Sequence, residues 1–331
     1  MRASDELPAL LERHRAELQV HCYRMLGSLE DSEDLVQETF LRAWRGRASF
    51  SPEKPSSLRA WLYRIATNAC LDVLRGRPRR VMPPQVVAAA ADPAAEPSPP
   101  ADFPWLQPYP DRLLESPAPA EDDPGAVVVA RETLELAFIA AIQHLPARQR
   151  AVLMLRDVVG WSARDTAALL ETSVAAVNSA LQRARATLRE RLGERRTDWA
   201  LPAQPREEER ELLRRYLDAH ERADVEALAG LLREDARLTM PPHPTWYQGR
   251  EAILIASQKG FEPEFGQLRS VATGANLQPA AAHYLRAPGD SEYRALGLDV
   301  LRVDGGLLAE ITSFVSAELF AAFGLPPTLE R

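Results

Sequence analysis

At 331 residues, with 46% hydrophobic and 26% charged side chains, the chain is long enough for two or three cores, and its composition excludes a wholly disordered or fibrous protein. No apolar run approaches the ~18 residues of a membrane span, and Cys22 and Cys70, without CxxC or Cys/His spacing, indicate neither a disulfide framework nor a zinc site. The net charge of −7 is an average over blocks of +3 (1–80), −8 (81–145), +5 (146–196) and −7 (197–331), so only the first and third can track a phosphate backbone.

Met1 to Leu10 carries Arg2, Asp5 and Glu6 where a signal peptide would be apolar, so a cytoplasmic protein is expected. Residues 1–80 read as helices: Leu7 to Leu26, then "GSLEDSEDLVQETFLRAW", then Leu58 to Leu74, stopped by Pro78. In the second helix Val36, Phe40, Ala43 and Trp44 fall on one face, and Asp34, Gln37, Glu38 and Leu41 on another. An acidic stripe with one apolar residue suits docking of a basic protein partner, although a plain solvated face has the same pattern. The third helix reverses the sign, setting Arg59, Arg64, Arg75, Arg77, Arg79 and Arg80 against Asp72, with Trp61 and Tyr63 interleaved as binding of unpaired bases requires.

From Val81 the pattern fails. Residues 81–125 read as a linker, holding twelve of the 27 prolines, yet "DFPWLQPYPDRLLE" (102–115) sits in their midst. Phe103, Trp105, Tyr109 and Leu113 are too apolar for idle tether and are expected to form an ordered strap, packed against the C-terminal segment or between it and the helical segments.

Helical periodicity resumes over 126–196, with breaks short enough for a compact bundle. Within it "WSARDTAALLETSVAAVNSALQRARATLRERL" has the layout of a helix-turn-helix: Ser162 caps a first helix with Asp165 at the capping-box position, and Val174 opens a second. Val174, Val177, Leu181, Ala184 and Leu188 share the core side. Asn178, Ser179, Gln182 and Arg183 then face away, on the part of the helix that can enter a major groove, and Arg185, Arg189 and Arg191 follow where phosphates would lie.

After residue 203 the character becomes α+β: helices after Arg206 and Asp224, then alternating segments. The last two, "YRALGLDVLRV" and "LLAEITSFVS", are joined by a predicted hairpin turn at Asp304 to Gly306.

"DSEDLVQETFLRAWR", "LRAWLYRIATNACLDVLRGR" and "LPARQRAVLMLRDVVGWSARDTAALLETSVAAVNSALQRARATLRERL", in that order, resemble the two conserved domains of an extracytoplasmic-function sigma factor of the sigma-70 family. Residues 204–331 resemble a SnoaL-like, NTF2-like cone domain. The fold class implied is multidomain: two all-α sigma domains, a region 2 bundle (1–80) and a region 4 helix-turn-helix (126–196), followed by the α+β cone. The function implied is promoter recognition and DNA melting with RNA polymerase core, without catalysis or a cofactor. Asp34, Gln37, Glu38 and Leu41 would dock on the β′ clamp helices, with the β flap as the second polymerase contact. Phe50, Arg64, Asn68, Arg75 and Arg77 would hold the −10 element, including an extruded base whose unstacking costs a few kcal/mol. Asn178, Ser179, Gln182, Arg183 and Arg185 would meet the −35 element. A small-molecule ligand in the cone would be lined by Tyr216, His220, Trp246, Phe261, His283 and Tyr284, and a separate anti-sigma factor is left open.

Two other classes compete. A cyclase, isomerase or hydrolase of SnoaL type fused to a DNA-binding region would need a pocket acid or base, for which Asp224, Asp235, His220 and His283 are the candidates. Asp224, however, is placed to cap a helix and Asp235 to sit at a helix-to-strand corner. An ordinary repressor using only the helix-turn-helix leaves the acidic and Arg-rich helices unexplained.

Overall fold

The computed structural model describes residues 3–49, 55–114, 133–192 and 207–330, which fall into two compact units. The first draws on Met1–Arg80 and Leu113–Ala203, the second on Val81–Arg112 and Gln204–Arg331.

Among its described residues the first unit is helical. α1 (Ala3–Glu12), α2 (Arg15–Leu26), α3 (Leu29–Gly46) and α4 (Pro55–Gly76) form its N-terminal part. Gly27 closes α2, its N–H reaching Tyr23 O at 2.7 Å, and the next residue, Ser28, caps α3 by accepting from Asp31 N at 3.2 Å. Two residues thus end one helix and begin the next, which folds α3 back against α2. The buried residues of α3 are Leu29, Ser32, Leu35, Val36, Thr39 and Ala43, one stripe at helical spacing. They meet Leu18, Cys22 and Met25 of α2 and Leu62, Ala66, Ala69 and Cys70 of α4 in a closed core.

The remainder of this unit holds α5 (Leu136–Ile142), α6 (Ala147–Leu153) running into a π-turn (Met154–Val158), α7 (Ala163–Leu169) and α8 (Val174–Leu192). Ser162 caps α7 as its sequence predicts, accepting from Asp165 N at 3.1 Å. Val177, Leu181, Ala184 and Leu188 are buried along α8, whereas Val174, expected with them, is the first residue of the helix and is 43% exposed. Buried Arg150 ties the two helical sets together. Its guanidinium donates to Met25 O at the end of α2, and to Gln143 Oε1 (2.7 Å), Gln143 O (3.0 Å) and Leu145 O (3.3 Å). Burial lowers its pKa to about 10, so it remains a cation at neutral pH and those acceptors replace its lost water.

The second unit is a mixed sheet ordered β2-β1-β6-β5-β4-β3, with β7 (Thr328–Leu329) on β5. The strands are β1 (Leu232–Thr239), β2 (Trp246–Gln248), β3 (Gln267–Ala275), β4 (Gln278–Arg286), β5 (Tyr293–Asp304) and β6 (Leu307–Phe314). β1 and β6 are parallel and the other pairs antiparallel. The β5–β6 hairpin turns through Gly305 and Gly306, whose φ of +61° and +77° suit a two-residue turn that side chains oppose. α9 (Glu207–Glu221), α10 (Val225–Ala229) and α11 (Arg250–Gln258) supply apolar faces to this sheet. Leu212, Leu213, Tyr216 and Leu228 pack with Leu232, Ile253, Leu301 and Ile311 in its main core. A short helix, α12 (Leu319–Ala322), brings Phe320 to a second cluster with Tyr284 and Tyr293.

Residues 81–112 belong to this second unit. The segment loops round to pair in parallel with its own start, Val81 N donating to Pro104 O (2.9 Å) and Leu106 N to Val81 O (3.1 Å). It is then fixed along its length. Ala90 N reaches Trp246 O (2.9 Å), Ser98 N reaches Thr245 Oγ1 (2.8 Å) and Ala101 N reaches Pro242 O (3.0 Å). Tyr109 N donates to Asn276 Oδ1 (2.8 Å), and Asn276 N returns a bond to Tyr109 O (2.9 Å). Leu277 N donates to Asp111 Oδ1 (2.8 Å), and Gly274 makes room for that carboxylate, since a Cβ there would lie 2.5 Å from Asp111 Oδ2. Prolines fix φ and offer no N–H, so an extended segment of them satisfies its few donors and many carbonyls against a neighbour.

Candidate functional site

Asp34, Gln37 and Leu41 are exposed along α3, opposite its buried stripe, and Leu41 is 51% accessible. Glu38 lies among them, half-buried, accepting from Arg42 Nε at 2.7 Å. Trp44, grouped by its spacing with Val36 and Ala43, is 39% exposed, with the Arg47 guanidinium 4.5 Å from its ring centroid.

On α4, Arg64, Asn68 and Arg75 are exposed and share one face by their spacing of four and seven. Arg75 pairs loosely with Asp72 (2.9 Å) and stays 78% exposed. Arg77, expected near the −10 phosphates, is exposed but paired. With Arg80 it clasps Asp31 (2.7 and 2.6 Å), and although burial pushes the Asp31 carboxyl up, these two guanidinium bonds outweigh it and hold the pKa low. Trp61 is half-buried and Tyr63 buried, its hydroxyl donating to Glu17 Oε2 at 3.1 Å, so Tyr63 belongs to the core rather than to a base-stacking surface. Phe50 lies outside the described residues.

Asn178, Ser179, Gln182 and Arg183 are all exposed on α8, opposite the buried stripe. Arg185 is exposed but bidentate to Asp157 (2.8 and 2.7 Å). Such an exposed pair is worth only ~0.2–1 kcal/mol, so a phosphate can compete for the guanidinium.

In the second unit, Tyr216 and His220 of α9, Phe261 and His283 of β4 come together. Ring centroids lie 4.2 Å apart for Tyr216–His220, 4.9 Å for His220–His283 and 5.3 Å for His220–Phe261. Trp246 and Tyr284 are not part of this group. Trp246 donates its indole N–H to Val87 O of the strap (3.0 Å), and Tyr284, whose neighbour His283 points to the other face of the strand, packs on Phe320 with rings 5.0 Å apart. A surface depression of about 410 Å³, lined by Glu234, Arg250, Glu251, Leu254, Ile255 and Gln258, includes none of the six residues expected to line a pocket.

The carboxylate at the centre of the cluster is Asp299 of β5, which the sequence reading passed over. Its Oδ2 accepts from Tyr216 Oη at 2.6 Å and from His283 Nε2 at 3.0 Å. Burial pushes its pKa up, but the charge and hydrogen bond of His283 outweigh this and bring it down to about 2. Burial and the nearby His283 lower His220 to about 4. The Tyr216 hydroxyl is pushed well above its ordinary value, by burial and then by the Asp299 charge. The candidates named beforehand have plain roles: Asp224 caps α10 through Ala227 N (2.8 Å), and Asp235, within β1 rather than at a corner, pairs with Arg233 on the surface (2.8 Å). The one signal for Asp299 was a lone acid inside the apolar run "LGLDVLRV".

The sequence matches Sigma-70 region 2 over residues 10–80, Sigma-70 region 4 over 135–188 and the SnoaL-like domain over 213–311. Helical modules with outward-facing polar stripes, followed by an α+β domain, are thus those of a sigma-70 class transcription factor with an added SnoaL-like domain. The ECF RNA polymerase sigma factor SigG of Mycobacterium tuberculosis (strain ATCC 25618 / H37Rv) is 44% identical over 327 residues, covering 98% of this chain and 85% of that protein. SigE of Mycolicibacterium smegmatis is 30% identical over 194 residues, covering 59% of this chain and 64% of that protein. The chain belongs to the extracytoplasmic-function sigma factors, which direct RNA polymerase core to promoters. The crystal structure of the M. tuberculosis extracytoplasmic function sigma factor SigJ shares the fold, with a TM-score of 0.61 over 97% of this chain and 99% of that one at 22% identity. Among the described residues no helix is long and apolar enough to cross a membrane.

Proposed function

We propose that this sigma factor divides its work among three surfaces and acts in the cytoplasm. The Asp34, Gln37, Glu38 and Leu41 stripe docks on the clamp helices of the β′ subunit. Arg64, Asn68 and Arg75 face the −10 element, and Asn178, Ser179, Gln182 and Arg183 read the −35 element in the major groove. The observation that carries this reading is α8: four hydrogen-bonding side chains stand exposed on a helix whose opposite face is buried by Val177, Leu181, Ala184 and Leu188.

The SnoaL-like domain regulates rather than catalyses in this reading. Its buried acid–imidazole pair, Asp299 and His283, is engaged in mutual hydrogen bonding, and Asp224 and Asp235 have structural roles. The strap, which joins the sigma modules in sequence and packs with this domain, is the element through which regulation acts.

Run-off transcription with purified core polymerase, over a promoter library, tests the assignment. The full chain is expected to initiate, and Gln182→Ala to change which promoters it selects. Turnover of a small molecule without polymerase, together with no transcription from any promoter, would overturn it in favour of an enzyme.

A further inference from the structure

Asp299 is an expensive residue. It sits between Leu298 and Val300, both essentially inaccessible, and is itself 5% exposed. A buried carboxylate is kept when its lone pairs are used, yet Oδ1 forms no well-made hydrogen bond, with Ser313 opposite Asp299 in register on β6. Oδ2 is engaged by Tyr216 and His283, and the Ser313 side chain also helps to hold the carboxyl's pKa down.

The two histidines around it are each held from behind. His220 Nδ1 lies 2.9 Å from Tyr216 O, and a carbonyl can only accept, so Nδ1 carries the proton and the lone pair is on Nε2. His283 Nδ1 lies 2.8 Å from Ser270 Oγ, a group able to donate or accept. An imidazole whose outer nitrogen is bonded to a carbonyl or hydroxyl, leaving the inner one to point at a carboxylate, is the arrangement that orients metal ligands. One ligand atom from each of His220, His283 and Asp299 lies within 4.8 Å of the other two. Donors on a tetrahedral zinc-sized ion at ~2.0–2.1 Å stand roughly 3.3 Å apart, so closing the group takes small side-chain rotations.

We propose that His220, His283 and Asp299 form a binding site for a divalent first-row transition metal of zinc-like ligand preference. The ion takes the place of the hydrogen bond between His283 Nε2 and Asp299. With the ion bound, His283 carries no proton on Nε2 and one on Nδ1, which donates to Ser270 Oγ. Tyr216 continues to donate to Asp299, and Ser270 acts as a positioning residue. Two nitrogens and one carboxylate suit zinc, cobalt(II) or iron(II), and not the all-oxygen shells of magnesium or calcium. The inference deepens the regulatory reading of this domain, and because it is measured without polymerase or promoter, its failure is distinct from failure of that reading.

The test uses the full chain, treated with chelator and then titrated separately with Zn²⁺, Co²⁺ and Mg²⁺. The expected result is one Zn²⁺ per chain retained through gel filtration, visible d–d absorption with Co²⁺, and no binding of Mg²⁺. Asp299→Asn keeps an acceptor for Tyr216 but removes the anionic ligand, and should abolish both signals. Ser270→Ala should weaken Zn²⁺ binding roughly 10- to 100-fold, and this variant carries the test if Asp299→Asn does not fold. No stoichiometric Zn²⁺ in the wild type, or unchanged affinity in the folded variants, would overturn the proposal.

Discussion

Replacing Tyr109 with alanine should release the strap from the sheet without unfolding the sheet itself. Tyr109 is fully buried, its neighbour Leu106 is 1% exposed, and the Tyr109 main chain makes a reciprocal pair of bonds with Asn276. Truncating a buried aromatic to alanine costs about 3–5 kcal/mol. If that loss falls on local opening of the strap, each 1.4 kcal/mol is tenfold in the opening equilibrium, so protection should fall by roughly a hundredfold or more. Native-state hydrogen exchange reads this at four amides: Leu106, Tyr109, Asn276 and Leu277, which donate to Val81 O, Asn276 Oδ1, Tyr109 O and Asp111 Oδ1. Amides of the β4–β5 ladder serve as the control. Gly274→Ala tests the same contact from the other side, since its methyl would displace Asp111 while leaving the aromatic in place. The reasoning fails if those four amides exchange at coil rates in the wild type, or if Tyr109→Ala leaves them as protected as before.

Leu41→Asp should leave stability within ~0.5 kcal/mol, because the side chain is largely exposed, and weaken core polymerase binding at least about tenfold, since burying a leucine contributes ~1.5–3 kcal/mol; equal affinity in a direct binding assay would refute the docking stripe. Gln182→Ala should lose ~1–3 kcal/mol on the cognate −35 sequence and relax selectivity there, whereas Arg189→Ala should weaken binding to all sequences and lower the salt slope by about 1, a distinction that promoter competition across salt concentrations measures. Acid should destabilise the C-terminal domain in two stages. With His220 at about 4 against an ordinary ~6.5, the unfolded chain takes up that proton first, so stability falls from about pH 6.5 to 4. Asp299, at about 2 against ~3.9, contributes on the order of 2 kcal/mol that is whole above pH 4 and lost toward pH 2. Near-UV circular dichroism across pH should show the lower stage missing in Asp299→Asn and the upper stage missing in His220→Gln; identical profiles would refute the assignment.

What the sequence disclosed follows from the range of its signals. Ser162 with Asp165, the Val177–Leu188 stripe and the Gly305–Gly306 turn are set within a few residues or a few turns, where helical period and turn chemistry act directly. Arg77 and Arg185 could be counted as charges, but their partners Asp31 and Asp157 lie 46 and 28 residues away in the chain. The His220, His283 and Asp299 cluster joins a helix to two strands, so no ligand spacing exists to be read. Proline content describes what residues 81–112 cannot do alone and is silent on Asn276, 167 residues beyond Tyr109, which completes their hydrogen bonding.

The polypeptide passes between the two units at three points, near residues 80, 112 and 203. Its last domain is therefore built from two separate stretches of the gene, and a stop codon near Trp199 does not excise it. Such a deletion leaves Leu106 and Tyr109 as an orphaned apolar remnant in the middle of the shortened protein. Its phenotype would mix lost regulation with newly exposed sticky surface, so clean genetic dissection requires point changes at the strap or removal of residues 81–112 together with the C-terminal segment.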